Sequence, residues 1–193
     1  MSTSSNRIIF IIRHGEKPGD PPPPHGVDRA GNQNQATDDH CLIPKGWQRA
    51  GALVSFFAAF DGHLRPGIAT PSEVISPGYQ ADSPNHRTYQ TIYPLSKRLG
   101  IDIDTSHQEG GEHHLGTLLA KNTTGGVTLV CWEHQRLPTI ATAIAPNAKI
   151  PTIWPDDRFD VVWSFAYDGS DYIFTQVPQM LLHKDSDSPI YPT

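Results

Sequence analysis

The 193-residue sequence predicts an α/β fold, a three-layer α/β/α sandwich with a mainly parallel central sheet. Ile8-Ile9-Phe10-Ile11-Ile12 and Val127-Thr128-Leu129-Val130-Cys131-Trp132 are short apolar runs without alternation, the pattern of strands covered on both faces. Amphipathic segments separate the strand-like runs, as βα units require. Each of the two apolar runs passes straight into a polar turn, Arg13-His14-Gly15 or Glu133-His134-Gln135. In open α/β sheets that edge is where ligands bind.

In chain order, strand 7–12 is followed by a long loop, 16–42, containing Pro21-Pro22-Pro23-Pro24. A helix over 44–60 begins with Pro44 in its first turn and carries Trp47, Ala50, Val54 and Phe57 on one stripe. Strand 73–76 precedes a helix over 86–99, in which Ile92, Leu95 and Leu99 face the core and Pro94 enforces a kink or restart. Strand 101–104, helix 112–121, strand 127–132 and helix 135–144 follow. A hairpin of 159–166 and 171–177 around Asp168-Gly169-Ser170 closes one domain spanning 1–193, and 185–193 reads as a loose tail. The 16–42 loop, with prolines at 18 and 21–24, leaves the sheet at the ligand edge. It reads equally as a lid over a pocket or as an exposed connector or recognition segment.

The polar residues at the strand ends suit phosphoryl chemistry. Arg13 puts a permanent cation beside the ring nitrogens of His14, which favours attack on an anionic phosphorus centre over a neutral carbonyl. Arg87, at a helix start, adds a second cation where free N–H groups and the helix dipole already attract anions. His134 repeats the strand-end placement of His14. Glu16 is positioned to orient Arg13 or a pocket group, Lys17 reads as a solvated loop residue, and Ser76, Gln80 and Asn85 flank the approach to Arg87.

These residues resemble the histidine phosphatase superfamily, also called phosphoglycerate mutase-like. Arg13-His14-Gly15 is similar to its signature triplet, Arg87 with Gln90-Thr91 to its arginine followed by Gln-Thr, and His134 to its second histidine. The order agrees from residue 7 to about 145. Trp154, Phe159-Asp160 and Val177-Pro178-Gln179 extend the likeness to a small subgroup whose second histidine sits in a Trp-Glu-His setting. The resemblance implies a phosphoglycerate mutase-like fold and a phosphatase in which His14 forms a phosphohistidine. Arg13, Arg87 and His134 then form the phosphate pocket, with Glu16 and Asn85 as further substrate contacts.

The acid is open. Gln135 stands where the acid-phosphatase branch carries aspartate, so the chain departs from that branch. The mutase branch draws a glutamate from the loop between the Arg87 helix and the second-histidine strand, here 107–114, which offers Glu112, with Glu109 as the alternative acid; Glu133 is also open. Gly110-Gly111 would let the chain carry Glu112 to a pocket, although Glu112 equally suits a helix's first turn. Two other functions share the pocket: a phosphomutase, and a non-catalytic module that binds or senses a phosphoryl ligand. Lys121 is the one basic residue in 107–126, which favours hydrolysis over the mutase reaction.

Rival chemistries find no foothold. Neighbouring His113 and His114 point apart on a helix, no His-Glu-x-x-His or paired Cys-x-x-Cys occurs, and no metal or organic cofactor is expected. A P-loop, a Gly-x-Ser-x-Gly elbow and a dinucleotide fingerprint are also missing. A net charge of −5 and a pI near 6.0 argue against nucleic acid or membrane surfaces as partners and leave a small phosphorylated molecule. Cys41 and Cys131 give no disulfide framework, and residues 1–7 are too polar for a signal peptide, so a cytoplasmic enzyme is expected. The oligomeric state is not legible.

Overall fold

A computed structural model describes residues 7–18, 40–78 and 86–192. Most of the 16–42 loop, with its proline run, lies outside the described residues, as do Gln80 and Asn85. The elements are β1 (Ile8–Arg13), α1 (Pro44–Phe57), β2 (Glu73–Ile75), α2 (Arg87–Leu99), β3 (Ile103–Asp104), α3 (Glu112–Lys121), β4 (Val127–Trp132), α4 (Leu137–Ile144), β5 (Val161–Tyr167) and β6 (Tyr172–Pro178).

Six strands form one sheet in the order β3-β2-β4-β1-β5-β6. The first four are mutually parallel, and β5 and β6 join antiparallel as the expected hairpin. The parallel centre follows from composition, because β1 and β4 are buried along nearly their whole length and need helices on both faces. Side-chain alternation then divides the core. Phe10, Ile12, Leu129 and Cys131 pack with Leu53, Phe57, Ile92 and Leu95 of α1 and α2. Ile9, Ile11, Val130 and Trp132 face Leu115, Leu119, Leu137 and Ile140 of α3 and α4. Two helix layers therefore enclose the sheet.

Three expectations change. The buried stripe of α1 is Gly46, Arg49, Ala50, Leu53, Phe56 and Phe57, rotated from the expected one, so that Trp47 and Val54 are only half-buried. The rotation follows from Gly46 and Arg49. A Cβ on Gly46 would collide with the Glu16 carbonyl, and the Arg49 guanidinium needs buried carboxylates. Helix α2 runs unbroken through Pro94, which costs it one internal hydrogen bond but does not end it. The C-terminal segment is held down. Asp185 bonds Arg49, Ser186 N–H donates to Asp160, and Ile190 is buried with its N–H on Gln176 Oε1. A segment that supplies a buried counter-ion is part of the core, which periodicity at the chain end could not reveal.

Candidate active site

Strands β1 and β4 are neighbours in register, Arg13 opposite Trp132, and His14 N–H donates to Trp132 O at 3.3 Å. The turns that leave these strands therefore bring His14 and His134 together, with ring centres 6.4 Å apart and planes nearly perpendicular. Both histidines are buried, as is Arg13. Burial of charged and titratable groups at a sheet edge is costly unless something compensates them, and the bonds around each residue show what does.

His14 Nδ1 lies 2.7 Å from Gly15 O. A carbonyl only accepts, so Nδ1 carries the proton and Nε2 holds a lone pair. Nε2 is buried and has no hydrogen-bond partner among the described residues. Burial lowers the His14 pKa well below the usual imidazole value, and the positive charge of Arg87 lowers it further. At neutral pH His14 is a fixed, unprotonated nitrogen base.

Gly15 is required by packing. A Cβ there would come within 3.0 Å of Gly46 O, so the turn and the first turn of α1 touch backbone to backbone. The Gln-Thr pair of α2 completes this frame. Thr91 Oγ1 accepts from Gly15 N–H at 2.7 Å and donates to Arg87 O at 2.7 Å, tying the nucleophile's turn to the helix that carries Arg87. Gln90 Oε1 accepts from Leu42 N–H at 2.8 Å. Ser76, at the end of β2, donates to Thr88 Oγ1 and is fully buried, which gives it a framework role.

Arg13 spends one edge on structure. Its Nη1 donates to the carbonyls of Pro155, Asp156 and Arg158 at 3.2, 2.6 and 3.1 Å, and its guanidinium lies 3.8 Å from the centre of the Phe159 ring. Nε and Nη2 are buried without partners among the described residues. Burial pushes the Arg13 pKa down to about 10, which leaves it cationic at neutral pH. Lys17 is half-buried, and burial and then the charges of Arg87 and Arg13 depress its pKa.

His134 Nε2 meets Asp156 Oδ1 at 2.6 Å, and the carboxylate fixes the proton on Nε2. Burial and the charge of Arg13 hold the His134 pKa below its usual value despite that partner. Asp156 was not foreseen from the sequence; the only local sign is the acidic pair in Pro155-Asp156-Asp157. The loop is rigidly framed, because Trp154 Nε1 donates to Arg158 O and Arg158 Nε donates to Asp160 Oδ1.

The expected glutamates sit differently. Glu16 is buried, and its two oxygens receive Arg49 Nη2 and Nε at 2.8 and 3.1 Å inside the protein. Glu112 is buried at the start of α3, where its Oε1 accepts from Trp132 Nε1 at 3.1 Å and Gly110 N–H at 2.9 Å. Those are the bonds of a helix-terminal anchor. Glu109 and Glu133 are half-buried. Among the described residues no three His, Cys, Asp or Glu side chains group as a metal site would need, and no helix is long and apolar enough to cross a membrane.

No family model and no curated protein matches the chain. Among solved structures it is similar to a phosphoglycerate mutase from Bacillus anthracis str. Sterne, at 12% identity and a TM-score of 0.50, over 90% of this chain and 93% of that one. It is equally similar to a protein assigned as phosphohistidine phosphatase SixA from Nakamurella multipartitia, at 15% identity and a TM-score of 0.50, over 90% of this chain and 96% of that one. The fold is therefore phosphoglycerate mutase-like.

Proposed function

We propose that this chain is a histidine phosphatase, a phosphomonoesterase that works through a phosphohistidine on His14. The observation that carries the reading is a set of buried atoms without hydrogen-bond partners among the described residues: His14 Nε2, and Nε and Nη2 of Arg13. Buried polar atoms are ordinarily satisfied, and these belong to a lone-pair nucleophile and a planar cation beside it. An anion that offers both an electrophilic centre and several acceptor oxygens answers both needs.

In this mechanism His14 Nε2 attacks phosphorus in line, and Nδ1 keeps its proton, donated to Gly15 O, throughout. Arg13 supplies Nε and Nη2 to the equatorial oxygens, while Arg87 and Lys17 add positive potential. His134 contributes a further hydrogen bond. Water then cleaves the N–P bond. No step calls for a metal or organic cofactor. The substrate is a small phosphorylated molecule, and a cytoplasmic location belongs to the same reading.

The test is hydrolysis of an aryl phosphate between pH 4 and 8, with His14→Ala as control and acid-labile phosphoenzyme trapped in parallel. Turnover and trapped phosphohistidine should both vanish in the variant. Turnover that persists there, or that EDTA abolishes, would refute the mechanism.

A further inference from the structure

We propose that Asp156 is the acid and base of the reaction, giving a proton to the leaving oxygen and later taking one from the attacking water. The inference rests on the phosphohistidine reading above and supplies the group that reading lacks.

Accessibility and the contact with His134 are the main support. In-line displacement puts nucleophile and leaving group on opposite sides of phosphorus, so the acid must stand across from His14 on the side where the alcohol departs. His14 is 1% exposed, whereas the Asp156 side chain is 91% exposed and touches a histidine that is itself 3% exposed. Asp156 thus reaches from solvent to the inner wall of the site through the 2.6 Å bond to His134 Nε2. Its backbone is fixed by Arg13, since its own carbonyl takes the shortest of the three Nη1 bonds. A carboxylate so exposed can exchange protons with bulk water, yet its range of motion is restricted by the loop that carries it. Glu112 offers neither property, being buried and bonded to Trp132 and Gly110.

The contact with His134 also suits a proton switch. The hydrogen bond and charge of His134 hold the Asp156 carboxyl below the usual carboxylate range, and Arg13 and Lys17 act in the same direction. A phosphoryl oxygen that competes for the His134 N–H removes that bond and adds negative charge beside the carboxyl. Both changes raise its proton affinity as substrate arrives.

The steps balance. In the first, the Nε2–P bond forms, the P–O bond to the leaving group breaks, and the Asp156 proton passes to that oxygen to give the alcohol. In the second, a water oxygen bonds to phosphorus, its proton returns to Asp156, and the P–N bond breaks to restore the lone pair on Nε2.

Leaving-group dependence separates this role from a positioning one. Asp156→Ala and Asp156→Asn should be compared with wild type on phenyl phosphate, which needs protonation, and on 2,4-dinitrophenyl phosphate, whose anion leaves unaided. Both variants should lose at least ~100-fold in first-turnover rate on phenyl phosphate but less than ~10-fold on the dinitrophenyl ester, within the ~10²–10⁴ range of general acid catalysis. On the dinitrophenyl ester they should also accumulate phosphohistidine, because the base for water is gone. Equal losses on the two esters, or none, would overturn the assignment of Asp156 while leaving His14 as nucleophile. Absence of any His14-dependent turnover in wild type would overturn the phosphatase reading itself, and this inference with it.

Discussion

Arg49 and Glu16 meet inside the protein as a two-pronged ion pair, Nη2 2.8 Å from Oε1 and Nε 3.1 Å from Oε2. The same guanidinium holds Asp185 Oδ1 at 2.7 Å and Gln179 Oε1 at 3.0 Å. One α1 side chain therefore joins the turn after His14 to the C-terminal segment. Burial works against the Arg49 charge, but its bonds to Asp185 and Glu16 outweigh that cost and keep its pKa raised. Arg49→Ala would strand two buried carboxylates and should cost about 3–5 kcal/mol. Lys45, half-exposed and 3.3 Å from Glu16, should cost less than about 1 kcal/mol when replaced by alanine. Urea unfolding of the two variants checks the contrast; similar midpoints would mean that the Arg49 cluster carries no such weight.

This cluster also marks where sequence reading stopped. Strands β1 and β4 were legible because burial on both faces leaves an unbroken apolar run, and the β5–β6 hairpin because Asp168-Gly169-Ser170 makes a turn of known chemistry. His14, Arg87 and His134 lie at element ends, where the sequence placed them. The stripe of α1 was not, because Arg49 occupies a core position by virtue of carboxylates 33 and 136 residues away in the chain. A charged residue in line with Gly46 and Leu53 was the available sign. Asp156 escaped for the same reason: its partner lies 22 residues back, and only the folded loop brings them together.

Arg13 has two duties, and substitutions should reveal both. Arg13→Ala removes the two donors left for phosphate and releases the three carbonyls of loop 155–158. Each lost donor typically costs about 10²–10³ in kcat, so kcat should fall at least ~100-fold. Arg13→Lys keeps a charge but cannot bond a loop and two phosphate oxygens from one ammonium, so it should remain at least ~10-fold impaired. Steady-state kinetics decide the matter, and a fully active lysine variant would show that charge alone suffices.

Glu112 provides a sharp comparison with the proposed acid. Its Oε1 serves Trp132 and Gly110 as an acceptor, and a glutamine oxygen can do the same. Glu112→Gln should therefore keep phenyl phosphate turnover within about fivefold of wild type, whereas Glu112→Ala, which leaves buried donors unpaired, should cost about 1–3 kcal/mol of stability. A glutamine variant inactive on phenyl phosphate but active on the dinitrophenyl ester would move the proton-transfer role to Glu112.

The last prediction concerns pH and follows from the environment of His14. Burial, reinforced by Arg87, sets its folded pKa well below 6.5, while an unfolded chain titrates its histidines near 6.5. Between those two values the unfolded state binds a proton that the folded state refuses, so stability falls as pH drops below about 6.5 and is fully retained above it. The lowered pKa of His134 acts in the same sense. For catalysis the consequence is opposite to that of an ordinary histidine. The Nε2 lone pair persists into acid, so the rate of phosphoenzyme formation should hold through pH 6 and decline only well below it. A quenched-flow profile from pH 4 to 8 on the dinitrophenyl ester, where no acid is needed, isolates this titration. An acid limb centred at 6.5 or above would show that the nucleophile does not experience the cationic, buried setting that Arg13, Arg87 and Lys17 create.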